Sequence, residues 1–147
     1  MKKTVFVFTL FTMLAFASCK KDKTDPKPEV ADISFRLLDC RAPGDSVSYS
    51  FFNYPGSIIL HSDYTWTIDL MGAVSKGTYT WAPTTYKSAA IKMTILQWTP
   101  FSGNAALSEK LKLVIQNIAS CAFPDTNPLG LILISADYKA DLRTLKM

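Results

Sequence analysis

Histidine occurs once in these 147 residues, cysteine three times and glycine six times. Each scarcity excludes a class of chemistry. His61 stands alone apart from a neighbouring Asp63, and zinc sites take three or four protein ligands, so no metal centre is expected. Phosphate-cradling glycine loops are absent, and with them the usual nucleotide sites. Sixteen basic residues face twelve acidic ones without forming a basic stripe, which argues against nucleic acid as a partner. The longest apolar stretch, residues 4–16, is too short to span a bilayer. No catalytic residue and no cofactor follow from this inventory, and no enzyme activity is expected.

That apolar stretch is informative for another reason. Lys2 and Lys3 precede it, and the small residues Ala17 and Ser18 follow it, directly before Cys19. A positive start, an apolar middle and a small-residue end make a secretory signal. With cysteine at the cut it resembles a bacterial lipoprotein leader, with Phe16 where such leaders usually carry Leu. The resemblance implies that residues 1–18 are removed and that Cys19 is acylated. The membrane is then a partner through the N-terminal lipid. Proteins of this kind carry two or three chains, enough for lasting attachment, since one chain alone binds only reversibly. Removing Lys2 and Lys3 leaves 14 bases against 12 acids, so the net charge falls from +4 to +2.

Residues 19–29 begin with Cys19 and continue KKDKTDPKPE, charged and proline-containing, which reads as a flexible tether. The CKKDK start resembles the tethers of Bacteroidetes lipoproteins, which implies a lipid-anchored place in the cell envelope, at the outer membrane. Residues 30–147 then form one domain, long enough for a real core. In an oxidising compartment the remaining cysteines, Cys40 and Cys121, are expected to form a disulfide, because each follows a strand-like run and precedes a proline turn. Two buried free thiols are the alternative.

The domain reads as β throughout. Residues 33–39 form a first strand, residues 46–52 (SVSYSFF) a half-buried second, and residues 57–60 a short third. The clearest signal is residues 64–70, where Tyr64, Trp66, Ile68 and Leu70 alternate with Thr65, Thr67 and Asp69. Tyr79 and Trp81 share a face of the next run, so residues 64–81 form an antiparallel hairpin that Pro83 ends. Residues 89–98 follow with Ile91, Met93 and Ile95 on one face. Residues 111–118 alternate in the same manner, and residues 129–134 are apolar on both faces, as in a central strand. Residues 138–147 fit a strand through Tyr138, Ala140 and Leu142 or a helix through Tyr138, Leu142 and Leu145; the strand is favoured by its β neighbours.

About eight strands separated by turn residues make an all-β fold, a single antiparallel barrel or sandwich. Residues 62–81 (SDYTWTIDLMGAVSKGTYTW) resemble the meander of lipocalin-like domains in bacterial lipoproteins, although no Gly-x-Trp occurs anywhere in the chain. The resemblance implies a lipocalin-like barrel that binds a small hydrophobic or glycan ligand. Tyr64, Trp66, Tyr79 and Trp81 are the candidate ligand-binding residues, because an aromatic face can stack sugars or line an apolar pocket. The alternative is a structural or interaction protein of the cell envelope with a filled core, acting on an envelope protein partner. Gly44-Asp45-Ser46 resembles the nucleophile block of some lipases and esterases, but no histidine follows His61 to activate the serine, so it reads as a turn. Asp125-Thr126-Asn127 likewise lacks the Gly and Glu that complete an EF-hand.

Overall fold

The computed structural model describes residues 32–85, 87–122 and 130–147. The leader, Cys19, the tether and the Asp125-Thr126-Asn127 turn lie outside the described residues. The elements are β1 (Ile33–Arg41), β2 (Tyr49–Ser50), β3 (Gly56–Leu60), β4 (Thr65–Leu70), β5 (Ala73–Thr85), β6 (Ser88–Gln97), a single 3-10 turn (Ser102–Asn104), α1 (Ala105–Asn117), β7 (Ile118–Ala122), β8 (Ile132–Ser135) and β9 (Asp141–Lys146). Successive strands from β3 to β9 pair antiparallel, and β1 pairs with both β3 and β9. The pairing of β1 with β9 closes eight strands into a barrel and decides against a sandwich. Closure leaves no free sheet edge along the paired strands, which removes the template for aggregation that an open edge presents. β2 is a two-residue extension on the β3 side of β1.

Alternation builds the interior. Trp66, Ile68 and Leu70 of β4 are buried, while Thr65, Thr67 and Asp69 between them are half-buried on the outer wall. Phe35 and Leu37, Ile58 and Leu60, Ile91 and Met93, and Leu133 with Leu142 complete the inner layer. Trp66, Ile58, Leu111, Leu133 and Leu142 have essentially no accessible surface, so no water-sized space touches them. The Trp66 indole lies on Gly77, its cross-strand partner; a Cβ there would come within 2.5 Å of the ring and 1.9 Å of the Thr94 carbonyl oxygen. Glycine at 77 thus admits the largest inward side chain.

The run expected as a strand over residues 111–118 is instead the end of α1 as far as Asn117, with Ile118 opening β7. Leu107, Leu111, Val114 and Ile115 are buried, a spacing of four, three and one that only a helix turns to one side, while Leu113 is 42 % exposed. Asn104 caps the helix by accepting from the Leu107 N–H at 3.0 Å. α1 packs against β1, β6, β8 and β9 and so closes one end of the barrel. Lys110 fastens it to the β1–β2 loop through Asp45 at 2.7 Å, with its ammonium 5.5 Å from the centre of the Tyr49 ring.

Three other expectations change. The strand over residues 46–52 shrinks to β2: Phe51 is buried but Val47 is 63 % exposed, because the chain has left the wall there. Pro83 does not end its strand; β5 runs past it to Thr85. The expected Cys40–Cys121 bridge is not formed, and both thiols are free and buried. Cys40, Leu142, Leu133 and Cys121 make one inward row across β1, β9, β8 and β7. Two whole strands separate the cysteines, about 14 Å along the wall at the usual strand spacing, whereas a bridge requires Cα atoms within roughly 7 Å. Burial pushes the Cys40 thiol up to about 12 and the Cys121 thiol up to about 11. We therefore expect iodoacetamide at pH 8 to spare both residues in the native protein and to modify both in denaturant without reductant. Peptide mapping reads the outcome; protection that persists in denaturant would restore the bridge. The C-terminal segment forms β9, as the strand reading expects, after a turn that leaves Tyr138 exposed.

Candidate functional site

The four aromatics of the hairpin stand toward the end of the barrel opposite α1, but they do not form an open aromatic face. Trp66 belongs to the core, its Nε1–H donating to the Thr78 carbonyl at 3.0 Å. Tyr79 is 8 % exposed, and its hydroxyl donates to the His61 carbonyl at 2.8 Å; burial raises its pKa. Trp81 is half-buried and packs on the core. Only Tyr64 reaches well into solvent, at 45 % exposure; its ring centre is 5.7 Å from that of Tyr79, and its backbone turns through φ 65°.

His61 sits in the β3–β4 turn beside them. Its Nδ1 lies 2.8 Å from Asp32 Oδ2, and its Nε2 lies 3.0 Å from the Thr67 hydroxyl, so both ring nitrogens are engaged. Asp32 also accepts from the Ser62 N–H, which fastens the residue preceding β1 to this turn. Its carboxyl is held below the usual range by the His61 hydrogen bond first and the Ser62 amide second. Asp63 is held low in the same way by the Thr65 hydroxyl and amide. Among the described residues no group of three or more His, Cys, Asp or Glu could hold a metal ion. Gly44-Asp45-Ser46 forms a turn beyond the far end of β1, with Gly44 at φ 86°. Ser46 and His61 thus lie at opposite ends of the barrel, and the serine has no imidazole within reach.

A different set of residues converges on the outer wall, unmarked by any sequence motif. Arg41 of β1 faces Asp141 of β9, and Arg143 of β9 faces Asp39 of β1. Both pairs are closed: Arg41 Nη2 lies 2.6 Å from Asp141 Oδ2, and Arg143 Nε lies 2.7 Å from Asp39 Oδ1 with a second contact to Oδ2. Ile134 and Ile132 continue the same two rows on β8. With Ser48 and Tyr138 these side chains, Asp39 excepted, line a depression of about 440 Å3. The residues on β1 and β9 are about a hundred positions apart in sequence and meet only through barrel closure, so no local signal announces them.

Comparison with known proteins bears on the fold. No protein family's sequence pattern matches the chain, and no curated protein matches it. Solved structures similar to it include a crystal structure of a DUF4847 family protein from Bacteroides vulgatus ATCC 8482, with a TM-score of 0.54 and 10 % identity over 76 % of this chain and 90 % of that one. An NMR structure of a protein from Burkholderia xenovorans gives a TM-score of 0.55 and 10 % identity over 82 % of this chain and 86 % of that one. At that identity what the chain shares with both is the fold.

Proposed function

We propose that this chain is a lipid-anchored protein of the cell envelope, at the outer membrane, that is not an enzyme and works through the outer surface of a filled barrel. The observation that carries the reading is the occupied interior: Trp66 seated on Gly77 and α1 across one end take the space that a lipocalin-like ligand would need. The leader and Cys19 support the anchor. Asp32 fixes the start of the domain at the His61 end, and the 13 residues from Cys19 to Asp32 can span at most about 45 Å. The separation of Ser46 from His61 supports a role without catalysis.

The test is fractionation of cells carrying the native chain or Cys19→Ala. The native protein should stay with membranes through a high-salt wash, and the variant should move to the soluble fraction. A variant that remained with the membranes would overturn the anchor.

A further inference from the structure

The groove on the outer wall lies over the β1–β9 seam that closes the barrel. Two opposite charge pairs, Arg41 with Asp141 and Arg143 with Asp39, alternate across β1 and β9. They cancel, so the site offers fixed hydrogen-bonding groups without a net field. Their planar heads are held by one another, so little side-chain freedom remains to be lost on binding. Beside them Ile132 and Ile134 give an apolar strip. Tyr138, 74 % exposed, stands at one edge on the β8–β9 turn.

That turn is rigid. The Ser135 hydroxyl donates to Asp137 and accepts from the Ala140 N–H, while the Ser135 N–H donates to the Ala140 carbonyl. Within it Tyr138 adopts φ 60°, which fixes the direction in which its ring leaves the turn.

We propose that this groove binds a neutral oligosaccharide, with the C–H face of a sugar on Tyr138 and its hydroxyls on the Arg41–Asp141 pair and on Arg143, which Asp39 neutralises and holds. The proposal rests on the reading that the outer surface does the work, and it names the class of ligand. The volume of about 440 Å3 lies within the ordinary range for small-ligand sites. A charged ligand would have to break an ion pair to gain one, whereas hydroxyls can add to the free lone pairs and N–H groups of pairs already formed. The β8–β9 turn is at the α1 end of the barrel, opposite the Asp32–His61 contact where the domain begins.

The test is isothermal titration of the full chain in mild detergent with cello-, manno-, xylo- and chito-oligosaccharides, repeated for Tyr138→Gly, Arg41→Gln and Tyr64→Gly. Tyr138→Gly removes the ring and relaxes the backbone, so the fold is kept. One of the sugars should bind, about tenfold or more weaker in Tyr138→Gly and in Arg41→Gln, the scale of losing an anchoring contact. Tyr64→Gly, at the other end, should leave binding unchanged. Absence of binding to all four sugars, or binding indifferent to Tyr138→Gly, overturns the groove and leaves the filled-barrel reading standing. Binding lost in Tyr64→Gly alone overturns both, because it places the ligand at the mouth of the barrel.

Discussion

Gly77→Ala should destabilise the barrel strongly. The added methyl would sit 1.9 Å from the Thr94 carbonyl oxygen and 2.5 Å from the Trp66 ring, distances that Cβ atoms do not adopt. One neighbour is backbone of β6 and the other is the largest fully buried side chain among the described residues, so neither can yield cheaply. Overpacking of this kind costs about 3 kcal/mol or more, a large part of the 5–15 kcal/mol that typically holds a domain together. Gly72→Ala is the control. Gly72, unlike Gly77, has positive φ, 89°, but open space surrounds its Cβ position, so only the left-handed backbone opposes the substitution. That cost is about 1–2 kcal/mol. Urea titration of both variants should therefore place the Gly77→Ala midpoint well below that of Gly72→Ala. Equal midpoints would mean that Trp66 is not pressed against β5.

The second large effect separates a helix from a strand over residues 111–117. As a strand, Leu111 and Leu113 would share a face and substitution to Ala would cost the same at each. In α1, Leu111 is fully buried at the barrel end and Leu113 faces solvent at 42 % exposure. Leu111→Ala should cost about 2–5 kcal/mol through lost burial and the cavity left behind, and Leu113→Ala under about 1 kcal/mol. Thermal melts followed by circular dichroism measure both. Similar losses at the two positions would return this segment to the sheet.

That segment shows where sequence pattern runs out. Leu111, Leu113 and Ile115 satisfy a period of two, and Leu107, Leu111, Val114 and Ile115 satisfy a helical period as well; a window of eight residues does not choose between them. A longer one would have. The run from Ala105 is rich in Ala, Leu, Glu and Lys, and Asn104 offers a cap directly before it. The hairpin of β4 and β5 was legible because its alternation is strict and its turn lies between the two runs, so contact and sequence coincide. The cysteines were not, since whether two inward residues touch depends on how many strands stand between them, a property of the closed ring. The same holds for the Arg41–Asp141 and Arg143–Asp39 pairs, which exist only because β9 returns to β1. Tyr64 reads as a core residue by spacing, yet the tight turn it occupies rotates its side chain out of the row.

The claim on which the rest depends is that the barrel is packed with its own side chains. The indole N–H of Trp66, bonded at 3.0 Å to the Thr78 carbonyl, reports on that interior directly. Followed by NMR in deuterated buffer, it should exchange only through global unfolding, with the same protection as the amides of β4 and β5. Exchange within minutes under native conditions, or a shift of that resonance on adding a fatty acid, would show an interior open to water or ligand and would contradict the account.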